Sequence, residues 1–289
     1  MRKELLNESM KIGIVLPAHN EAAFIQQTLD SLVAQTRLPD VLCVVDDHST
    51  DDTPEIIHSY VDKHDWIHTI SQPSSDQHLP GAKVIRAWKQ GLAHVSDCDI
   101  VCKFDADLVF PTDYLARLET QFELNPEIGI FGGVLQVMGA QQNWVDETIS
   151  NTNHIRGPIK AYRKVCLDQM GGLKEALGWD TLDVLLAQYH GWETATDPTL
   201  KVKHLRPTGS AYALPKHVET FYAMRYGYWI TVLAVFKQQG FGLKIWCQAH
   251  RAYFKAQSNR LPFLVDKQQG VFIRRMRWKG IWSKVLSSS

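Results

Sequence analysis

The five cysteines (43, 98, 102, 166 and 247) are odd in number and show no Cys-x-x-Cys spacing. A disulfide framework is therefore not indicated, and reduced, buried thiols in a cytosolic protein are expected. Long hydrophobic runs are missing too. The most apolar window, 221–236, is interrupted by Arg225 and falls short of the roughly 20 residues a spanning helix needs. Residues 1–10 are polar and lead straight into a strand-like stretch, so neither a signal peptide nor a membrane crossing is expected. No Gly-x-Gly-x-x-Gly follows that stretch, which argues against a nicotinamide or flavin dinucleotide site. The absence of Gly-x4-Gly-Lys-Ser/Thr excludes a P-loop NTPase. Acid is scarce at one end: after Glu219 there are twelve lysines and arginines against one acid, Asp266. The zero net charge therefore hides an acidic body with a basic tail.

What remains has a regular order. Residues 12–16, 41–45, 66–70 and 100–104 read as strands. Between them, 22–35, a segment opened by 50–54, and 82–95 carry apolar residues at helical spacing. This βαβα alternation predicts an α/β fold with an open, mostly parallel, doubly wound sheet between helices. A helix is expected over 114–125, a Gly-interrupted strand over 128–138, a helix over 181–190 and a strand over 194–202. From Val218 onward helices dominate.

Asp105-Ala106-Asp107 follows the fourth strand directly. Residues i and i+2 of an extended segment project the same way, so the pair can offer hard oxygens to one divalent cation. Mg²⁺ takes only one or two protein carboxylates and completes its shell with phosphate and water. Ligands of doubly wound sheets bind beyond the carboxyl ends of the strands. Three strands here end in polar clusters at that edge: 17–21, 46–49 and 105–107. An acid-rich rim repels a phosphate ligand unless a cation bridges the two.

These clusters resemble a known family. Residues 14–21 (Ile-Val-Leu-Pro-Ala-His-Asn-Glu), 44–53 (Val-Val-Asp-Asp-His-Ser-Thr-Asp-Asp-Thr) and 104–107 (Phe-Asp-Ala-Asp) look like the successive signatures of family 2 glycosyltransferases, over roughly residues 10–210. The resemblance implies a GT-A fold and an inverting transferase that uses a nucleotide diphosphate sugar, UDP-linked, with Mg²⁺ or Mn²⁺. It places Pro17, His19 and Glu21 at the nucleoside pocket, with Asp47 and Lys83 facing the base. Asp105 falls at the ribose and metal-bound phosphate and counts in the metal set, with Asp107 as the direct metal ligand. For Lys83 a solvated helix lysine is the alternative.

The family commonly carries Glu-Asp at a helix start, with Gly-aromatic about eleven residues on. Here Trp179-Asp180 precedes Gly191-Trp192 at that separation, so the resemblance implies Asp180 as the base. The family's Glu is replaced by Trp179, which offers a surface for stacking on an acceptor sugar. Asp183 is a second candidate base, or an ordinary helix acid. His204, after the last strand of the body, corresponds to a late His that completes the metal shell in some relatives, and Arg206 lies where it would neutralise the leaving diphosphate.

The implied organisation is a GT-A domain over 1–217, divided into a nucleotide-sugar half (about 10–110) and an acceptor half (about 111–217). A helical basic extension follows over 218–289. Aromatic residues among its bases fit an anionic membrane surface, whereas no nucleic-acid module accompanies them. Packing on the body with the bases solvated is the alternative. The expected acceptor is a saccharide or lipid-linked sugar in cell-surface polysaccharide or glycolipid synthesis, with the enzyme peripheral on the cytoplasmic membrane face. A nucleotidyltransferase lacks its Gly-rich loop here. A catalytically silent sugar-nucleotide-binding or scaffold protein is the rival that the missing Glu raises.

Overall fold

The computed structural model describes residues 9–71, 81–147, 155–206 and 213–287. Strands β1 (Ile12–Ala18), β2 (Val41–Asp46), β3 (Ile67–Ser71) and β4 (Ile100–Phe104) alternate with helices α1 (Ile25–Val33), α2 (Thr53–Val61) and α3 (Ala82–Gly91). They form the parallel run β3-β2-β1-β4. β1 and β4 are buried along nearly their whole length, which is why they read as continuous apolar runs rather than alternating ones. The expected helix over 82–95 is α3 followed by a 3₁₀ turn at Leu92–Val95. Gly91 marks that change: a Cβ there would lie 2.5 Å from Val15 on β1, so glycine permits the close approach to the sheet.

The second half widens the same sheet. After β5 (Leu108–Val109) and α4 (Tyr114–Leu124) come β6 (Ile128–Met138), β7 (Trp144–Asp146) and β8 (Ile159–Arg163). Helices α5 (Lys164–Gln169) and α6 (Trp179–Tyr189) precede β9 (Glu193–His204). β8 inserts antiparallel between β4 and β6, and β9 runs parallel to β6 and antiparallel to β5. The full order is β3-β2-β1-β4-β8-β6-β9-β5, with β7 on β6.

One apolar cluster joins α1, α2 and α4 to one face of the sheet, and a second joins α3, α5 and α6 to the other. Four cysteines lie buried as free thiols and Cys247 is exposed. Four helices end the chain: α7 (Leu214–Ala223), α8 (Tyr228–Gln239), α9 (Leu243–Ser258) and α10 (Lys267–Ser287). Ile230 of α8 and Ile273 of α10 enter the same cluster as Leu182 and Leu186 of α6, so these helices share the body's core. Among the described residues no helix is long and apolar enough to cross a membrane.

Candidate active site

The loops after β1 and β2 are tied to each other by their own polar side chains. Asn20 N–H donates to Ser49 Oγ (2.9 Å), Glu21 N–H to Thr53 Oγ1 (2.8 Å) and Ala22 N–H to Asp51 Oδ2 (3.1 Å). Thr50 N–H donates back to Asn20 Oδ1 (2.8 Å). Asp51 also accepts from Thr53 N–H at the start of α2, so the side chain that braces this helix end is Asp51 rather than Asp52. Asn20 and His48 take left-handed φ angles of 54° and 60°, the tight turns that bring the two tips together. Polar residues that look like generic caps in the sequence are thus one braced rim.

Within that rim His19 Nδ1 lies 2.7 Å from the Asp47 carbonyl, and Lys83 Nζ lies 3.3 Å from Asp47 Oδ2. Lys83 is thus paired with the acid expected to face the base, its own side chain part-exposed. Pro17 sits in β1 in register with Val45.

The Asp105–Asp107 turn is anchored on three sides. Thr28 of α1 donates to the Ala106 carbonyl and accepts from Leu108 N–H. Asp105 N–H donates to the Pro158 carbonyl, and Leu205 N–H to the Asp107 carbonyl. Asp107 Oδ2 meets Arg206 Nε at 3.2 Å and His204 Nε2 at 3.5 Å, while Arg206 also grips Glu21. Glu21, Asp107 and the neighbouring His204 and Arg206, three stretches far apart in the chain, form one cluster.

Its electrostatics follow from that packing. Burial raises the Glu21 pKa, with Asp107 and Asp105 adding to the effect and Arg206 opposing it. Burial also penalises the Asp107 carboxylate, but His204 and Arg206 outweigh it and hold the group below the usual range. His204 is raised: burial opposes its charge, and Asp107, then Asp105, more than compensate.

The donor set fits a hard divalent cation. Among the described residues no three His, Cys, Asp or Glu side chains form a closed cage, and Mg²⁺ or Mn²⁺ of the phosphate-bridging kind does not need one. Asp107 and His204 already lie side by side and nearly buried, with His204 Nδ1 lacking a hydrogen-bond partner. Asp105 is the third member of the expected metal set. Its carboxylate is bonded to Lys103, and it acts on Glu21 and His204 through charge alone.

Lys103 went unrecognised in the sequence. It is 1% exposed in the middle of β4, and a charge inside an apolar strand was the available signal. Its ammonium lies 5.1 Å from the Trp179 ring centroid, and Lys160 lies 5.6 Å from the same ring. Trp179 is 7% exposed. The expectation of a sugar-stacking platform is therefore corrected: this indole packs against two neighbouring lysines, a cation–π arrangement.

The two candidate bases separate. Asp183 is buried, with Lys160 Nζ 2.7 Å from both carboxylate oxygens and the Tyr162 hydroxyl at 2.6 Å. Burial raises its pKa despite Lys160 and Tyr162. Asp180 is half-buried in the first turn of α6. Gly178 starts that helix in the left-handed region, with φ of 73°. A Cβ on Gly157 would lie 3.3 Å from Asp180 Cβ, and the next residue, Pro158, accepts from Asp105 N–H. Asp105 and Asp180 thus both meet the same two-residue stretch before β8.

The sequence family described as "Glycosyl transferase family 2" matches residues 13–171, more than half of the chain. The chain belongs to glycosyltransferase family 2. The probable glycosyltransferase YdaM of Bacillus subtilis (strain 168) is 34% identical over 108 residues, 36% of this chain and 24% of that protein. The chain thus spans about a quarter of that relative's length. Residues 1–349 of S. aureus TarS, in complex with UDP-GlcNAc, superpose with a TM-score of 0.58 at 18% identity, covering 86% of this chain and 73% of that one. The mannosyltransferase PcManGT from Pyrobaculum calidifontis, in complex with GDP-Man and Mn²⁺, gives 0.56 at 16% identity over 95% and 81%. These likenesses establish the GT-A fold. The family 2 match also covers the three strand-end clusters and the β8 strand that carries Lys160.

Proposed function

We propose that this chain is an inverting glycosyltransferase that moves a sugar from a nucleotide diphosphate donor, UDP-linked, to a saccharide or lipid-linked acceptor of cell-surface polysaccharide or glycolipid synthesis. The observation that carries the reading is that Asp180 and Asp105 both meet the Gly157-Pro158 stretch. A half-buried carboxylate stands there beside the turn that belongs to the donor diphosphate.

Asp47 and Lys83 hold the base, with Pro17 and His19 lining the nucleoside pocket. Asp107 and His204 would hold the divalent cation, with Asp105 beside them. When bound, Mg²⁺ or Mn²⁺ supplies positive charge against the donor diphosphate. Asp180 accepts the proton of the acceptor hydroxyl as its oxygen bonds to the anomeric carbon. The bond from that carbon to the diphosphate oxygen breaks in the same displacement, and the electron pair leaves with the nucleoside diphosphate. Attack from the opposite side inverts the centre, and no sugar–enzyme bond is needed. Arg206, bonded to Glu21 and Asp107, neutralises the departing diphosphate. Asp183 serves instead to hold Lys160 under the start of α6.

Assays of donor hydrolysis and transfer with Mg²⁺ or Mn²⁺ across UDP-, GDP- and dTDP-sugars test this reading. Activity with one donor class is expected; silence with all of them removes it. The replacement of the family's Glu by Trp179 favours a second reading, a catalytically silent sugar-nucleotide-binding or scaffold protein. Such a protein binds a donor but has no turnover for Asp180→Asn to abolish.

A further inference from the structure

We infer that the α8–α9 hairpin docks on the surface of an anionic lipid bilayer. Among the described residues Val218, Val235 and Ala249 form the buried cluster beneath these helices, with Leu214, Phe221, Ile245, Ala252 and Tyr253 packed against it, and large apolar side chains are left outside it. Trp229 is 68% exposed, Phe241 85% and Leu243 77%, with Trp246 and Phe254 also exposed. Several join through ring contacts: Trp246 to His250 at 5.3 Å, His250 to Phe254 at 4.6 Å, Phe254 to Tyr228 at 5.7 Å and Tyr228 to Trp229 at 5.1 Å. The result is a continuous aromatic patch across both helices, larger than scattered surface apolars require.

Charge identifies the occupant. Residues 220–265 contain no acid. On α9, helical spacing puts Leu243, Trp246, His250 and Phe254 on one stripe and Lys244, Arg251 and Lys255 on the neighbouring stripe. All three bases are exposed. An aromatic stripe beside a basic one suits the interface of an anionic bilayer, where rings enter the headgroup boundary and ammonium and guanidinium groups meet lipid phosphates. A second copy suits it poorly, because a two-fold contact pairs a patch with itself and sets base against base.

Docking has a consequence for the proposed transferase, and that consequence alone rests on the glycosyltransferase reading. α9 packs on α7, and a Cβ on Gly178 would lie 3.0 Å from Met224 and 3.3 Å from Thr220 at the end of α7. The hairpin is thus one helix away from the turn that presents Asp180. A membrane under α8 and α9 brings the headgroup of a lipid-linked acceptor toward that turn.

Co-sedimentation of the full chain with phosphatidylcholine vesicles, with and without phosphatidylglycerol, tests the inference. Binding is expected to the anionic vesicles, weakening with salt, with little to the neutral ones. Trp246→Ser/Phe254→Ser should reduce it about tenfold or more at an unchanged melting temperature. If that variant fails to fold, Lys244→Gln/Arg251→Gln should still lose the anionic preference. Asp180→Asn should bind vesicles like the unaltered chain, so a failure of docking is separable from a failure of transfer. The inference is overturned by equal binding to neutral and anionic vesicles, by no binding to either, or by unchanged binding of both double variants. It is likewise overturned if these substitutions instead dissolve a dimer on sizing, or if a single-stranded oligonucleotide binds the patch and the vesicles do not.

Discussion

Lys160 Nζ lies 2.7 Å from each carboxylate oxygen of Asp183, and neither side chain reaches solvent. The same ammonium donates to the Asp180 carbonyl. A strand that pairs with β4 is thereby linked to the helix turn carrying the proposed base.

Breaking that pair should be costly. Removing one partner of a buried ion pair leaves an uncompensated charge and typically costs about 3–5 kcal/mol. Lys160→Met or Asp183→Asn should each lower the urea midpoint by a corresponding amount. Lys160→Met/Asp183→Leu should recover more than half of the loss, since apolar replacement of both partners is often neutral. A double variant no better than the singles contradicts the pairing.

Asp180→Asn is expected to reduce transfer by about 10²–10⁴-fold, the usual span of general-base catalysis. Donor binding, followed by thermal shift in the presence of Mn²⁺, should be retained. Asp183→Asn should show its effect in stability first; a loss of turnover at full stability would exchange the roles given to the two acids.

Arg206 shares Asp107 with any incoming cation, since its Nε already sits 3.2 Å from Asp107 Oδ2. In Arg206→Gln, donor-free protein should bind Mn²⁺ a few-fold more tightly by titration calorimetry, as one neighbouring positive charge is removed. Turnover should fall about tenfold as the leaving diphosphate loses a counter-charge. Weaker Mn²⁺ binding would mean that Arg206 organises the cation site rather than competing for it.

The Asp107–His204 pair should make the metal-free protein's stability depend on pH. The Asp107 pKa is depressed, because His204 and Arg206 outweigh its burial, so its contribution is present above the ordinary carboxylate value and lost as pH falls through the lower folded one. The His204 pKa is raised, because Asp107 outweighs its burial, so its contribution is full below the ordinary imidazole value and lost as pH rises through the higher folded one. The pair therefore stabilises most between about pH 4 and 6.5. Melting temperatures in chelator should peak in that window. His204→Gln should flatten the alkaline limb and Asp107→Asn both limbs.

The sequence by itself determined the strand–helix alternation of residues 12–104, the strand-end clusters and the segregation of charge. Each is local: two-sided burial writes a continuous apolar strand, a turn demands polar residues at its tip, and charge is counted along the chain. It could not say that Glu21, Arg206 and Asp107 form one clamp, or that of Asp180 and Asp183, three residues apart, the first is half-buried and the second lies in the core. Nor could it predict that Trp179 lies against Lys103 and Lys160. Those facts depend on β8 entering antiparallel beside β4 and on β9 returning to the Asp105–Asp107 turn. Such long-range pairings are chosen by packing of the whole core, which local spacing does not encode.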